Sequence, residues 1–485
     1  TFGGCGAAAS ARTTQAQARA AAAIAATASR RGRLTMTERD PSRTGPHLGL
    51  GTGPVADVGE SPISPLPSAL ALALAVGASS AADDARFAAE TRAHVARLEK
   101  LGFAGVVLVA REREPVLAEG LGLADRERGL RWSPATVSTV GSITKQFTAA
   151  AVLLLVEDGR LSLDDALPKH FDEVPADKRG ITVHQLLTHS SGISDLAGAG
   201  DWDAIGREEF ARRALAEPLA FPPGQGYEYS NAGYSLLGAV IERLAGVSYE
   251  RFVRERLFLP NGMFETGYLL PAWGDGRLAV GYRRGERWGT ILERPMAEDG
   301  PFWVLRANGG IHSTAWDMLR WGRALLEGRV LSPASLDRLW APHVPEGGDT
   351  HYGYGWVVAQ GPGGEKVVTH NGGNGILFAD LALVPGSGLV AFVQTNVLAD
   401  APVSNRLLEQ IGARLLAGAP YPPVPDVVRV EPSALAAVAG EYALDGGGRL
   451  RIEARDGVLV AEPVDPAGFR VLLSTEPLDP SRAER

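Results

Sequence analysis

The chain has 485 residues, 45% of them hydrophobic and 21% charged, with a formal net charge of −8. That length holds two or three domains around a sizeable core, and the acid excess argues against a general surface for nucleic acid or an anionic membrane. The single cysteine, Cys5, excludes an intramolecular disulfide and a Cys-rich metal site.

Residues 1–84 read as a low-complexity leader, largely unstructured: Ala-rich to Ala28, Arg-rich at Arg30, Arg31 and Arg33, then Pro/Gly/Ser-rich to Pro67. Within it the signal-like segment 69–82 has an apolar run of signal-peptide length, Ala69 to Ala78, followed by small residues suited to cleavage. The run is too short to span a membrane. Export to a periplasmic or extracellular space is the expectation. Acidic rather than basic flanks at Asp57 and Glu60, and the distance from Thr1, keep an Ala/Leu linker helix in a cytoplasmic chain as the alternative.

Ordered patterning begins at Ala85. Phe87, Val95 and Leu98 recur at helical spacing over 85–101; 104–110 is a continuous apolar run of strand length, and 115–120 is a second strand. Next comes Val140-Gly141-Ser142-Ile143-Thr144-Lys145, heading a strongly apolar helical run that Gly159 stops. Residues three apart share a helix face, so the Ser142 hydroxyl and the Lys145 ammonium come within reach of one another. A serine hydroxyl is nearly inert at neutral pH unless a base takes its proton, and a lysine held among apolar neighbours can serve as that base. Ser-x-x-Lys by itself is common on exposed helices, where it is a solvated pair. Here only five lysines occur (Lys100, Lys145, Lys169, Lys178 and Lys366), and Lys145 alone has a serine three before it. It also lies among Ile143, Phe147 and Ala149, where a solvated lysine does not belong.

Helical patterning follows at 182–187, 207–216 and 234–244, and strand patterning returns at 355–359, 366–370, 377–384 and 389–394. The sheet is therefore drawn from both ends of the domain, with a helical insert between. After the turn Phe221-Pro222-Pro223-Gly224, Tyr229 and Asn231 are two apart on an extended piece, which points the phenol and the carboxamide the same way. Taken alone that is ordinary turn chemistry. Farther on, Thr369-His370-Asn371-Gly372-Gly373 is a strand running into glycines, a mark of backbone that something must approach closely. Tyr421 to Pro425 reads as a stiff linker between a domain at 85–418 and a small β-rich C-terminal domain at 426–485. In that last segment Asp456-Gly457 between two apolar runs signals a hairpin, and its length reads as an incomplete barrel.

Together, Ser142-Ile143-Thr144-Lys145, Tyr229-Ser230-Asn231 and His370-Asn371-Gly372, in this order and with these gaps, resemble the three motifs of the serine β-lactamase and penicillin-binding protein superfamily. The flanks Leu186 to Gly192 and Gly309 to Thr314 match its class C-like branch, which also holds D-Ala-D-Ala carboxypeptidases, D-aminopeptidases and β-lactamase-like carboxylesterases. The resemblance spans 85–417 and implies an α+β, β-lactamase/transpeptidase-like fold: an antiparallel sheet flanked by helices plus an all-helical subdomain. It also implies that Ser142 attacks a carbonyl, that Lys145 and Tyr229 share the proton traffic, and that Asn231, His370 and Gly372 contact the substrate. The oxyanion hole would be the amides of Ser142 and Gly373. Lysine usually stands where this chain has His370, so the departure favours the esterase and D-peptidase branches over efficient β-lactam hydrolysis.

The expected activity is thus a serine hydrolase for a small ester, D-peptide or lactam, without cofactor, metal, nucleic-acid partner or membrane span, and with the oligomeric state open. A weak β-lactamase and a catalytically silent binding module are the alternatives. No Gly-x-Ser-x-Gly elbow points to an α/β-hydrolase. His184 and His189, five apart and off a shared helical face, read as structural rather than as metal ligands.

Overall fold

Ser80 opens the ordered chain as a helix cap. The computed structural model describes residues 80–111, 114–274, 276–283, 285–398, 406–424, 432–443, 448–455 and 458–465. In helix α1 (Ala81–Lys100) the Ser80 hydroxyl accepts the Asp83 N–H at 3.2 Å, and the Asp83 carboxylate takes the Ser80 N–H at 3.3 Å. Each bond satisfies a donor that the helix itself leaves unpaired. The ordered region therefore begins before Ala85, and Ser80 to Ala82, the end of the signal-like segment, belong to this cap and first turn. Residues 1–79, with Cys5, lie outside the described residues.

By its internal contacts the described chain divides into two units, 80–424 and 432–465. The larger is built on an antiparallel sheet of eight described strands: β1 (Gly105–Arg111), β2 (Glu114–Leu121), β3 (Val344–Gly347), β4 (Thr350–Tyr352), β5 (Val357–Gln360), β6 (Lys366–Gly373), β7 (Phe378–Val384) and β8 (Leu389–Thr395). Their spatial order is β2-β1-β8-β7-β6-β5-β4-β3. The first two strands come from one end of the domain and the other six from the far end, as the patterning predicts. Strand β1 pairs with β8 at its centre, Leu108 opposite Phe392.

Both faces of this sheet are covered, which is why β1 and β8 read as unbroken apolar runs instead of alternating. Val107 and Val109 pack with Phe87, Val95 and Leu98 of α1 and with Leu407 and Ile411 of the C-terminal helix α7 (Leu407–Ala417). Val106 and Leu108 turn the other way, onto the core that holds Phe147 and Trp321. Each such side chain contributes roughly 1.5–3 kcal/mol by burial.

On that second face stand α2 (Thr144–Glu157) and α6 (Ala315–Leu326), with α3 (Val183–Leu187), α4 (Arg207–Ala216) and α5 (Asn231–Ala245) forming the helical layer beyond. Helix α2 is buried on nearly every side, from Thr144 through Leu153 and at Leu155. Two of its buried polar side chains find partners across the core: Trp321 Nε1 donates to Gln146 Oε1 at 3.1 Å, and Thr148 Oγ1 donates to the Ala307 carbonyl at 2.6 Å. Helix α2 is thus the central pillar between sheet and helical layer, and the Ser-x-x-Lys motif stands at its head.

The smaller unit holds helix α8 (Pro432–Ala437) and a three-stranded antiparallel sheet, β9 (Gly440–Ala443), β10 (Arg449–Arg455) and β11 (Val458–Pro463). Arg455 pairs with Val458, so β10 and β11 form a hairpin; the Asp456-Gly457 turn itself is outside the described residues. No helix among the described residues is long and apolar enough to cross a membrane.

Candidate active site

Ser142 occupies a tight 3-10 turn, Gly141–Ile143, that leads into α2. The turn is tied down where the Val140 N–H meets the Ile311 carbonyl at 2.8 Å. Gly141 has φ +52°, a left-handed backbone that favours glycine. Space imposes a second constraint. A Cβ at Gly141 would stand 2.4 Å from Gly373 N, and one at Gly372 would stand 2.2 Å from Ser142 N and 2.4 Å from the Val140 carbonyl oxygen. Strand β6 pairs with β5 only from Lys366 to Thr369, and its last residues lie against the Ser142 turn instead. The glycines that end the strand are therefore explained by a backbone-to-backbone contact. That contact sets the amides of Ser142 and Gly373 beside one another.

Lys145, the second residue of α2, is fully buried. Its Nζ lies 3.1 Å from Ser142 Oγ, 2.7 Å from Asn231 Oδ1 and 2.9 Å from the Asn308 carbonyl oxygen. Two of these partners can only accept, whereas the serine hydroxyl can also donate. A neutral amine in this position gives its two hydrogens to Asn231 and Asn308 and turns its lone pair toward the Ser142 hydroxyl. The geometry of a general base is therefore present.

Tyr229 and Asn231 come from the loop that starts α5. Ser230 caps the helix, accepting the Gly233 N–H at 3.0 Å. The Asn231 amide is oriented from both ends: Oδ1 faces Lys145, while Nδ2 donates to Asp195 Oδ2 at 3.0 Å. Reversing the amide would set N–H against an amine and oxygen against a carboxylate. Asp195 Oδ1 also takes the Ala232 N–H at 2.9 Å, anchoring the carboxylate at the helix start. The half-buried Tyr229 ring lies beside Lys145, with Nζ 4.6 Å from the ring centroid.

His370 is placed differently from the expectation. Its ring is 4% exposed; Nε2 faces the Tyr352 hydroxyl at 2.9 Å, and Nδ1 faces the Asn371 carbonyl at 2.5 Å. The Nδ1–H donates to that carbonyl and the phenol donates to Nε2, which fixes a neutral tautomer. Burial first, and then the Lys145 charge, push its pKa down to about 3. Instead of a substrate contact, His370 is a neutral buried group behind Tyr229, with ring centroids 6.2 Å apart. Residues 368, 370 and 372 share the buried face of β6, which accounts for this.

In front of these groups lies a cleft walled by Ser142, Asn231, Asn308, Asn374, Asp201, Trp202, Ile291 and Leu305, with backbone from Gly141, Gly309, Gly310 and Gly373. Among the described residues lining it, Asp201 is the charged side chain, and no arginine or lysine is present. The structure brings together Ser142, Lys145, Tyr229, Asn231, Gly372 and Gly373. It adds Asn308, Asp195 and the Asp201-Trp202 wall, which sequence reasoning did not single out. Asn308 directly precedes the Gly309-Gly310 stretch, a local signal; Asp195 carries none until the fold sets it at the start of α5.

Comparison with known proteins bears on the sequence and the fold. The family model described as Beta-lactamase matches residues 91–413. Penicillin-binding protein 4* of Bacillus subtilis (strain 168) is 30% identical over 290 residues, covering 57% of this chain and 64% of that protein. Esterase EstB of Burkholderia gladioli is 34% identical over 216 residues, covering 40% of this chain and 54% of the esterase. The chain thus spans less than two thirds of either relative. Among solved structures, the octameric penicillin-binding protein homologue from Pyrococcus abyssi superimposes with a TM-score of 0.60 at 25% identity, over 78% of this chain and 88% of the homologue.

Proposed function

The chain belongs to the Beta-lactamase family, and from that premise we propose that it is a serine hydrolase that cleaves small esters through an acyl-enzyme on Ser142. One observation carries the reading: Ser142 Oγ lies 3.1 Å from a buried Lys145 amine that also meets two pure acceptors, Asn231 Oδ1 and the Asn308 carbonyl. In the first half-reaction Ser142 Oγ bonds to the ester carbonyl carbon while its proton passes to Lys145 Nζ. The carbonyl oxygen gathers negative charge between the amides of Ser142 and Gly373, where one such donor is worth roughly 2.7–4 kcal/mol. The C–O bond to the leaving alcohol then breaks, and the alcohol takes up a proton through Tyr229. A water molecule, giving its proton to the same pair, cleaves the acyl ester and restores the Ser142 hydroxyl. The second N–H of Asn231 is the donor available to orient the acyl portion.

The ester preference rests on the charge of the cleft. Among the described residues no arginine or lysine lines it, and the histidine beneath is neutral, which disfavours a substrate that must place a carboxylate there. The name of the esterase relative points the same way. A second reading, a D-amino-acid amide or peptide with a free amine, draws on the Asp201 carboxylate in the same wall. The test is a side-by-side assay of p-nitrophenyl acetate, D-alanine p-nitroanilide and nitrocefin. The expected order in kcat/KM is the ester first and nitrocefin last. Nitrocefin turned over faster than the ester would overturn the reading.

A further inference from the structure

His189 lies in the Leu186 to Gly192 stretch, beneath Tyr229 and wholly buried. We propose that it is a positioning residue that fixes where the Tyr229 phenol stands relative to Lys145 and Ser142. This inference rests on the reading of Tyr229 as a proton carrier.

His189 has φ +58°, a left-handed conformation that costs a residue with a side chain roughly 1–3 kcal/mol and persists only where the surroundings enforce it. That conformation lets the residue hold the Tyr229 loop at two points. Its carbonyl accepts the Glu228 N–H at 3.0 Å, and its ring Nδ1 accepts the Ser230 N–H, also at 3.0 Å. The residues on either side of Tyr229 are thus pinned by the main chain and the side chain of one histidine. The ring itself lies against the Tyr229 ring, with centroids 4.4 Å apart and planes tilted by 38°. Tyr352, 4.5 Å away, backs it from another side and passes the support on to His370 through its hydroxyl.

The protonation state fits this role. With Nδ1 accepting, the proton of the neutral ring is on Nε2, which has no hydrogen-bond partner among the described residues and is surrounded by aromatic rings. Burial, and then the Lys145 charge, hold its pKa well below the usual histidine range. A second proton would remove the acceptor for Ser230 and set a cation beside Lys145. His189 therefore acts on the reaction through Tyr229 and touches neither Ser142 nor the substrate cleft.

The test is a double-mutant cycle on p-nitrophenyl acetate: His189→Ala and His189→Asn, each in the parent and in Tyr229→Phe, with thermal unfolding of every variant. His189→Ala is expected to lower kcat by about 100-fold with KM little changed, the scale of a catalytic group misplaced by about 1 Å. Asparagine tolerates the left-handed backbone and sets an oxygen near the position of Nδ1, so His189→Asn should recover at least about tenfold of that loss. In Tyr229→Phe the further loss from His189→Ala should nearly vanish, because the residue being positioned is no longer functional. Losses that add in full in the Tyr229→Phe background, a fully active His189→Ala, or failure of both variants to fold would each overturn the proposal. Unimpaired turnover by Tyr229→Phe alone would instead remove the premise, which separates the two failures.

Discussion

The carboxylate of Asp195 holds Asn231 from behind, accepting its Nδ2–H at 3.0 Å while Asn231 Oδ1 meets Lys145 at 2.7 Å. Asp195 is exposed and far from Ser142 in sequence, yet it decides which end of the amide faces the amine. Asp195→Ala should therefore lower kcat/KM by about tenfold, the scale of one hydrogen bond to a charged group. The lost contact at the start of α5 should cost about 1 kcal/mol besides. Steady-state kinetics with thermal unfolding checks both; unchanged kinetics would show that Lys145 alone orients Asn231.

Lys145 meets Ser142, Asn231 and Asn308 with one nitrogen. A guanidinium keeps its proton at any working pH and spreads its donors in a plane. Lys145→Arg should consequently be almost as inactive as Lys145→Ala, both at least about 1,000-fold below the parent, as expected when members of one catalytic unit are removed. Substantial turnover by the arginine variant would make Lys145 an electrostatic partner and not the base.

Gly372 permits the contact between strand β6 and the Ser142 turn. In Gly372→Ala the new methyl meets backbone atoms at 2.2 and 2.4 Å, and backbone cannot yield as a flexible side chain does. The expected loss in kcat is at least about 100-fold. Gly386→Ala, where a Cβ meets nothing within 4 Å, should be kinetically silent. Equal effects from the two would mean that close approach is not what the strand's glycines provide.

Much of this site was legible because its chemistry is local in sequence. Ser142 and Lys145 are one helical turn apart, Tyr229 and Asn231 one extended step, and the terminal glycines of β6 announce a close approach. What the sequence hid is what the fold assembles across distance. Asp195 meets Asn231 36 positions away, and the Asn308 contact is a carbonyl oxygen, which no side-chain pattern records. The resemblance implies a substrate contact at His370. Strand periodicity says that alternate residues share a face, and the sheet is covered on both, so periodicity alone does not tell which face is cleft and which is core. The start of α1 was missed for another reason: Ser80-x-x-Asp83, a capping box, follows directly on an apolar run and reads as a cleavage site.

Neutral His370 implies a pH dependence of stability. The folded chain keeps this ring unprotonated down to about pH 3, while the unfolded chain takes the proton near 6.5. Its contribution is complete above about pH 6.5 and is lost progressively toward 3, because the unfolded state binds protons first as pH falls. Buried carboxylates act in the opposite sense; Asp380, raised to about 7, is one. The contribution of His370 is therefore isolated by difference. The excess unfolding free energy of the parent over His370→Gln should shrink by up to about 1.4 kcal/mol per pH unit between pH 6 and 4. A difference that stays flat across that window would mean that the ring titrates normally.

The proposed chemistry requires Ser142 to be the nucleophile. The most direct measurement is mass spectrometry of the intact protein and its peptides after treatment with a fluorophosphonate, in the parent and in Ser142→Ala. The prediction is a single adduct on the peptide carrying Ser142, absent from Ser142→Ala and accompanied by loss of p-nitrophenyl acetate turnover in both the labelled parent and the variant. A folded parent that takes no label, an adduct on another residue, or Ser142→Ala turning over the ester at near the parent rate would contradict the account.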